Sequence, residues 1–382
     1  MSYFNNSLMI PGSGSRIISA LSVTLLLGPL ACSKDKPAHS ETKTAAAPSS
    51  APSSGSGAST APAEAASLPA PPKSLGGFST PKNNPTTPAK VVLGRKLFFD
   101  KRLSADGSRA CYSCHEDKSG SGGALPKAIG AKEKQLSRHA PSMWNVAYLP
   151  RLYWDGRADS LEAQAKGAWA GGNMGVGKDN LLAKADEIGA LPEYKAEFDA
   201  VFPGDGATPE TITQAIAAFE RTLLCGDTAF DRFDAGDESA LNESQKRGWD
   251  LFQNKAACKN CHTPPFFSDA VRAAAGAYHN VGIGIEGLAA ADIDPGREKV
   301  SENPSEWAAF KTPSLRNVSK TAPYFHDGSV VTLEAAVRFM AGGGFKNKNL
   351  DSKLDDKKLS DEEVQNLVSF LGALDCTGSL KP

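Results

Sequence analysis

A mostly α-helical protein, built as two domains in tandem with long loops, is what this 382-residue sequence predicts. Three observations carry that reading. Apolar residues recur with helical spacing behind N-cap residues. No segment alternates with period two between hairpin turns, which excludes a sizeable sheet. The pattern Cys-x-x-Cys-His occurs twice, 147 residues apart, once in each half of the ordered chain. With 40% hydrophobic and 22% charged residues the composition is that of a globular protein, and a net charge of −1 lacks the basic excess of a nucleic-acid binder. No internal stretch reaches the roughly 18 apolar residues that a membrane span needs.

The elements follow in order. Arg16 precedes an apolar run over 17–30, the length of a signal-peptide core, so residues 1–31 read as a leader and the protein as exported to the periplasm. Leu30-Ala31-Cys32 resembles a lipobox, with Pro29 where Leu is usual. Lipid anchoring through Cys32 and plain cleavage both remain open. Residues 32–88, rich in Ala, Pro and Ser, read as a disordered tether, too poor in large apolar residues to offset the entropy of ordering.

The N-terminal domain spans 89–232. In it Thr208 and Pro209 begin a helix with Ile212, Ala215, Ile216, Phe219 and Leu223 on one face. The C-terminal domain spans 233–382. There Asn242 caps a helix carrying Trp249, Leu251 and Phe252, and Ser360 with Glu363 forms a capping box before Val364, Leu367, Val368, Leu371 and Leu374. Gly-rich connections at 117–130 and 167–177 have the length of loops that wrap a cofactor or gate a site.

Cys111-Tyr112-Ser113-Cys114-His115 and Cys258-Lys259-Asn260-Cys261-His262 each match the attachment signature of a c-type haem. Two thiols add to the vinyl groups and the adjacent histidine supplies the proximal ligand. Zinc is disfavoured because three groups so closely spaced do not reach one tetrahedral ion well. A redox Cys-x-x-Cys would come with a βαβ pattern, which is missing. Two covalently bound haems, one per domain, follow. Of seven cysteines, Cys225 and Cys376 are then left over. Both fall at helix ends, and a disulfide or two buried thiols satisfies them equally. For the sixth ligands the histidines outside the motifs, leader and tether are His139, His279 and His326, and the methionines are Met143, Met174 and Met340.

The chain resembles the bacterial di-haem cytochrome c peroxidase family over nearly all of 90–376. The stretches are LGRKLFFDKRLSADGSRACYSCH, YWDGRADSLEAQAKG, AIAAFERTLL, FDRF and FKTPSLRNVSKTAPYFHDGSVVTLEAAVRFM. The resemblance implies that Met340, fourteen residues after His326, is the distal ligand of the second haem, a high-potential centre that takes up electrons. It implies Gln164 in the peroxide pocket and Trp154 between the haems. It also implies an inter-domain calcium on the carbonyls of Thr321 and Pro323, but there His139 replaces an oxygen ligand, which makes calcium doubtful.

Two departures matter. The family's histidine sixteen residues past the first motif is Ala131 here, so the first iron is expected to stay open unless His139 reaches it. The family's proton-shuttling Glu is Asn173, before Met174, and an amide cannot serve as a general base. The expected activity is reduction of hydrogen peroxide, with electrons from a small exported cytochrome or copper protein. Two alternatives stand beside it: a di-haem maturation enzyme oxidising a tryptophan of a partner protein, and a plain electron carrier. The resemblance also implies a homodimer.

Overall fold

The computed structural model describes residues 68–273 and 277–381. The leader, Cys32 and the tether as far as residue 67 lie outside the described residues. Among those described the chain forms ten α-helices: α1 (Pro88–Phe99), α2 (Leu161–Ala170), α3 (Leu181–Gly189), α4 (Pro192–Val201), α5 (Pro209–Glu220), α6 (Ala229–Asp234), α7 (Glu243–Gln253), α8 (Glu298–Ser301), α9 (Leu333–Ala341) and α10 (Asp361–Gly372). Strand structure there is limited to the antiparallel pair β1 (Tyr278–His279) and β2 (Phe310–Lys311). The caps read from the sequence form: Thr208, Asn242 and Ser360 accept from the third helical residue of α5, α7 and α10, and Thr211, Gln245 and Glu363 return the bond.

Two hydrophobic cores result. The first gathers Leu97 and Phe98 of α1, Trp169 of α2, Phe198 of α4, and Ile212, Ile216 and Phe219 of α5. The second gathers Phe230, Phe252, Phe267, Leu367, Phe370 and Leu374. Each is organised by one close helix crossing. A Cβ on Gly94 of α1 would stand 1.8 Å from the Ala215 carbonyl of α5, and a Cβ on Gly248 of α7 would stand 2.0 Å from the Asn366 carbonyl of α10. Each glycine is followed by Leu and Phe at the third and fourth positions, Leu97-Phe98 and Leu251-Phe252, and then by the Cys-x-x-Cys-His loop. The halves thus repeat one plan.

Three features depart from the sequence reading. Phe230, inside the expected N-terminal domain, packs in the second core. The C-terminal tail returns to the first half, where Cys376 and Leu380 join its core; of the two states left open for Cys225 and Cys376 the structure has the disulfide, with Cα atoms 5.4 Å apart. The tether is not disordered over 68–87. There Leu75 is buried, Phe78 packs edge-on to Tyr148, and buried Asn84 donates to Glu162 Oε1 at 2.6 Å and to the Gln214 carbonyl. A few anchoring contacts hold a segment whose composition alone argues for disorder.

Candidate functional site

The two Cys-x-x-Cys-His loops place an imidazole in the same way. His115 Nδ1 is 3.1 Å from the Ser121 carbonyl, and His262 Nδ1 is 3.1 Å from the Phe267 carbonyl. Each Nδ1–H donates there, which leaves Nε2 unprotonated as a ligand atom. Burial pushes the His115 pKa down to about 4 and that of His262 below the ordinary range, so both rings are neutral. Cys111, Cys114, Cys258 and Cys261 are unpaired. Burial raises the first two thiols and pushes Cys258 up to about 12. A redox Cys-x-x-Cys carries a reactive thiol shifted the other way.

A cavity of about 1300 Å³ runs between the cores, lined by Cys114, His115, Gln164, Trp154, His139 and Lys311 among others. A second, of about 60 Å³, joins Cys111, Cys114, His115, Gln164, Asn173 and Glu220. At the first motif the neutral imidazole, the free thiol pair and this space together fit a haem; the second motif repeats the neutral imidazole and the free thiol pair.

Around the first centre Gln164 of α2 and Asn173, three residues past that helix, line both cavities. Ala131 is buried; its N–H donates to the Asn173 carbonyl at 3.0 Å, and a Cβ on Gly175 would touch its methyl at 3.0 Å. The loop is thereby locked with no ligating group at that position. His139 is buried, with Nδ1 2.9 Å from the Leu125 carbonyl and its backbone N–H donating to the His326 carbonyl at 2.7 Å. Met143 and Met174 pack in the first core.

Trp154 lies at the seam of the halves. Its indole N–H donates to the His139 carbonyl at 2.9 Å, and its own carbonyl accepts the Lys311 N–H of β2 at 2.7 Å. The His326 ring meets it edge-on with centroids 6.5 Å apart and stacks on Phe310 at 3.6 Å. Arg138 closes the seam through Asp155 at 2.7 Å and Asp294 at 2.6 Å. Thr321 and buried Pro323 follow the turn whose Asn317 donates to the Gly120 carbonyl of the first half at 3.2 Å.

At the second centre Met340 is the penultimate residue of α9 and half-buried. Lys357 donates its backbone N–H to the Ala341 carbonyl at 2.8 Å, and its ammonium is close enough to act on the Cys258 thiol. The end of α9 therefore lies beside the second motif. His279 stands between Asp269 and Asp351; burial opposes its charge, but Asp269, the Cys261 thiol and Asp351 raise its pKa to about 10. Cys261, Asp269 and His279 lie close enough to hold a metal ion, but Cys261 belongs to the attachment motif.

The sequence reading missed Glu220, Lys311 and the Asp partners of His279. Glu220 had a visible signal: it continues the row Ile212, Ile216 on the apolar face of α5, where a carboxylate is out of place.

A mostly helical, two-core chain with paired Cys-x-x-Cys-His loops and a cavity at the first of them defines a class of two-centre c-type haem proteins. Residues 88–239 match the family model described as di-haem cytochrome c peroxidase. The chain is 39% identical over 301 residues to the methylamine utilization protein MauG of Methylorubrum extorquens, covering 77% of this chain and 80% of that one. It is 34% identical over 301 residues to the cytochrome c551 peroxidase of Nitrosomonas europaea, covering 76% and 84%. A crystal structure of a MauG-like protein associated with microbial copper homeostasis superposes with a TM-score of 0.73 at 30% identity, over 80% of this chain and 95% of that one. The fold of the dihaem peroxidase BthA from Burkholderia thailandensis also matches, with a TM-score of 0.65 at 21% identity over 81% and 95%. The chain belongs to the di-haem cytochrome c peroxidase family, an oxidoreductase family with two c-type haems.

Proposed function

We propose that the protein reduces hydrogen peroxide to water at the first centre, with single electrons delivered to the second by a small exported cytochrome or copper protein. The bound haems supply the iron redox chemistry. The chain supplies the rest. Cys111, Cys114, Cys258 and Cys261 would hold the groups as thioethers, with His115 and His262 as proximal ligands and Met340 as the second centre's distal ligand. Gln164 orients peroxide through its side-chain amide, while Asn173 donates and accepts hydrogen bonds without taking a proton. Trp154 provides an aromatic step across the seam. Calcium is left out of the proposal, because His139 presents imidazole where a hard cation takes oxygen. The proposal includes export on the leader 1–31, anchoring through Cys32, and a second copy of the chain as partner.

The observation that carries the catalytic reading is Ala131, a buried methyl group packed at Gly175, at the position where the family resemblance puts the ligand that closes the first iron. An open position marks haem chemistry and a filled one electron transfer. The same observation favours the maturation-type alternative, in which a protein tryptophan is oxidised; Met340 counts against it, because that branch's best-known type has tyrosine at this ligand position. Steady-state oxidation of a reduced small cytochrome by the haem-loaded protein, with and without hydrogen peroxide, separates these. Peroxide-dependent donor oxidation supports the peroxidase. Peroxide consumed without donor turnover points to a protein substrate. No reaction with peroxide, together with purely low-spin spectra, leaves an electron carrier.

A further inference from the structure

His279 joins two segments that flank the second centre. Its Nε2 is 2.9 Å from Asp269 Oδ2 and its Nδ1 is 2.5 Å from Asp351 Oδ2. Asp269 belongs to the attachment loop, where its backbone N–H donates to the Cys261 carbonyl at 2.7 Å. Asp351 lies eleven residues after Met340, on the loop that leaves α9. The backbone next to His279 is fastened to that same loop: Phe345 N–H donates to the Val281 carbonyl at 3.2 Å and Asp351 N–H to the Asn280 carbonyl at 3.0 Å. The Asn280 and Asn347 side-chain amides pair reciprocally at 3.1 Å. Contact is so close at Gly344 that a Cβ there would stand 2.3 Å from the Val281 carbonyl. Residues 279–281 thus form a strip with the attachment loop on one side and the segment after Met340 on the other.

We propose that His279 is a positioning residue for Met340: with Asp269 and Asp351 it clips the loop after α9 to the attachment loop and so keeps the Met340 thioether at the second iron. This rests on the reading of Met340 as that iron's ligand. A thioether is a neutral, weak acceptor, so its ligation depends on being held in place. An imidazole whose two nitrogens face opposite carboxylates spans the gap; an alanine removes that bond from both half-buried carboxylates and leaves Asp351 only the Lys353 backbone N–H at 2.8 Å.

The test uses the full-length, haem-loaded protein and three variants: His279→Ala, Asp351→Asn and Met340→Ala. The readouts are the charge-transfer band of a thioether-ligated ferric haem, the midpoint potential of the second centre, and displacement of the distal ligand by added imidazole. Met340→Ala should abolish the band and lower the potential. His279→Ala should weaken the band, shift the potential in the same direction, and admit imidazole about tenfold more readily. The first centre's spectrum should stay unchanged. Asp351→Asn, which keeps side-chain size and tests the outer half of the clip alone, should lie between His279→Ala and wild type. If Met340→Ala loses the band while both clip variants keep wild-type band, potential and imidazole affinity, the clip has no positioning role and the proposal is overturned. If Met340→Ala itself keeps the band, Met340 is not the ligand, and the proposal falls with that reading.

Discussion

In the proposed reaction Asn173 stands where peroxide chemistry asks most of a side chain. It shares both cavities with Gln164, yet neither amide can take a proton. A positioned general base contributes about 10²–10⁴ in rate. Asn173→Glu is therefore expected to raise peroxide-dependent donor oxidation by roughly 100-fold in kcat/KM, the bottom of that range, because the carboxylate must settle in a loop built for an amide. An unchanged rate would mean that the proton travels by another group. Glu220 is the carboxylic acid in the smaller cavity: it is 3% exposed and its Oε2 has no hydrogen-bond partner. Burial, with help from Glu162 and against Arg221, pushes its pKa up to about 8. A carboxyl whose pKa is raised by folding gives its full stability below the unfolded value and loses it as pH rises toward the folded one. Glu220→Gln, which imitates the protonated form, should therefore match wild type near pH 4. Its advantage in Tm should grow up to about pH 8, where the folded Glu220 carboxyl titrates, and stay level above it. An advantage that does not change with pH would show that the carboxylate finds a partner in the haem-loaded pocket.

Helix ends were legible because their chemistry is local: Thr208, Asn242 and Ser360 bond within their own first turn. The crossings that make each core were not, since the glycines that permit them act on carbonyls more than 110 residues away, Gly94 on Ala215 and Gly248 on Asn366. The ordered end of the tether was missed for the same reason, its Asn84 anchor bonding Glu162 across 78 residues. Buried Arg316 likewise reaches Asp231 at the start of the second half with two bonds of 2.7 and 2.8 Å. The Cys225–Cys376 bond, with a sequence separation of 151, closes the longest of these links and fastens the tail to the first core. Chain-entropy arguments put a cross-link of that span at roughly 3–5 kcal/mol, most of it through the unfolded state. Cys225→Ser with Cys376→Ser, or reduction, should lower Tm by roughly 5–10 °C while leaving the haem spectra in place. Loss of the first centre's spectrum in the same range would mean that the tail also shapes that site.

At the scale of the whole molecule the two halves are bound by groups that the sequence could place only through family resemblance. Trp154 had no local signal to mark it as an inter-core residue; only the fold brings β2 and His139 to it. That seam bears on electron transfer. Trp154 is fixed by its indole N–H on the His139 carbonyl and by its backbone on Lys311, and it faces the His326 ring, which stacks on Phe310 with an interplanar angle of 16°. Under the proposed function an electron crossing from the second centre to the first would have two aromatic routes, through Trp154 or through the His326–Phe310 stack. Trp154→Phe keeps a ring but loses the indole and its hydrogen bond, and Trp154→Leu removes the aromatic step while keeping bulk at the seam. Rapid mixing of the reduced protein with peroxide, followed at each haem's own absorbance, reads the transfer directly. If Trp154 carries the electron, reoxidation of the second centre slows in Trp154→Phe and slows further in Trp154→Leu, with the first centre's initial reaction unchanged. Wild-type reoxidation in Trp154→Leu would transfer the role to the His326–Phe310 stack, and Trp154 would then serve only to hold the two halves in register.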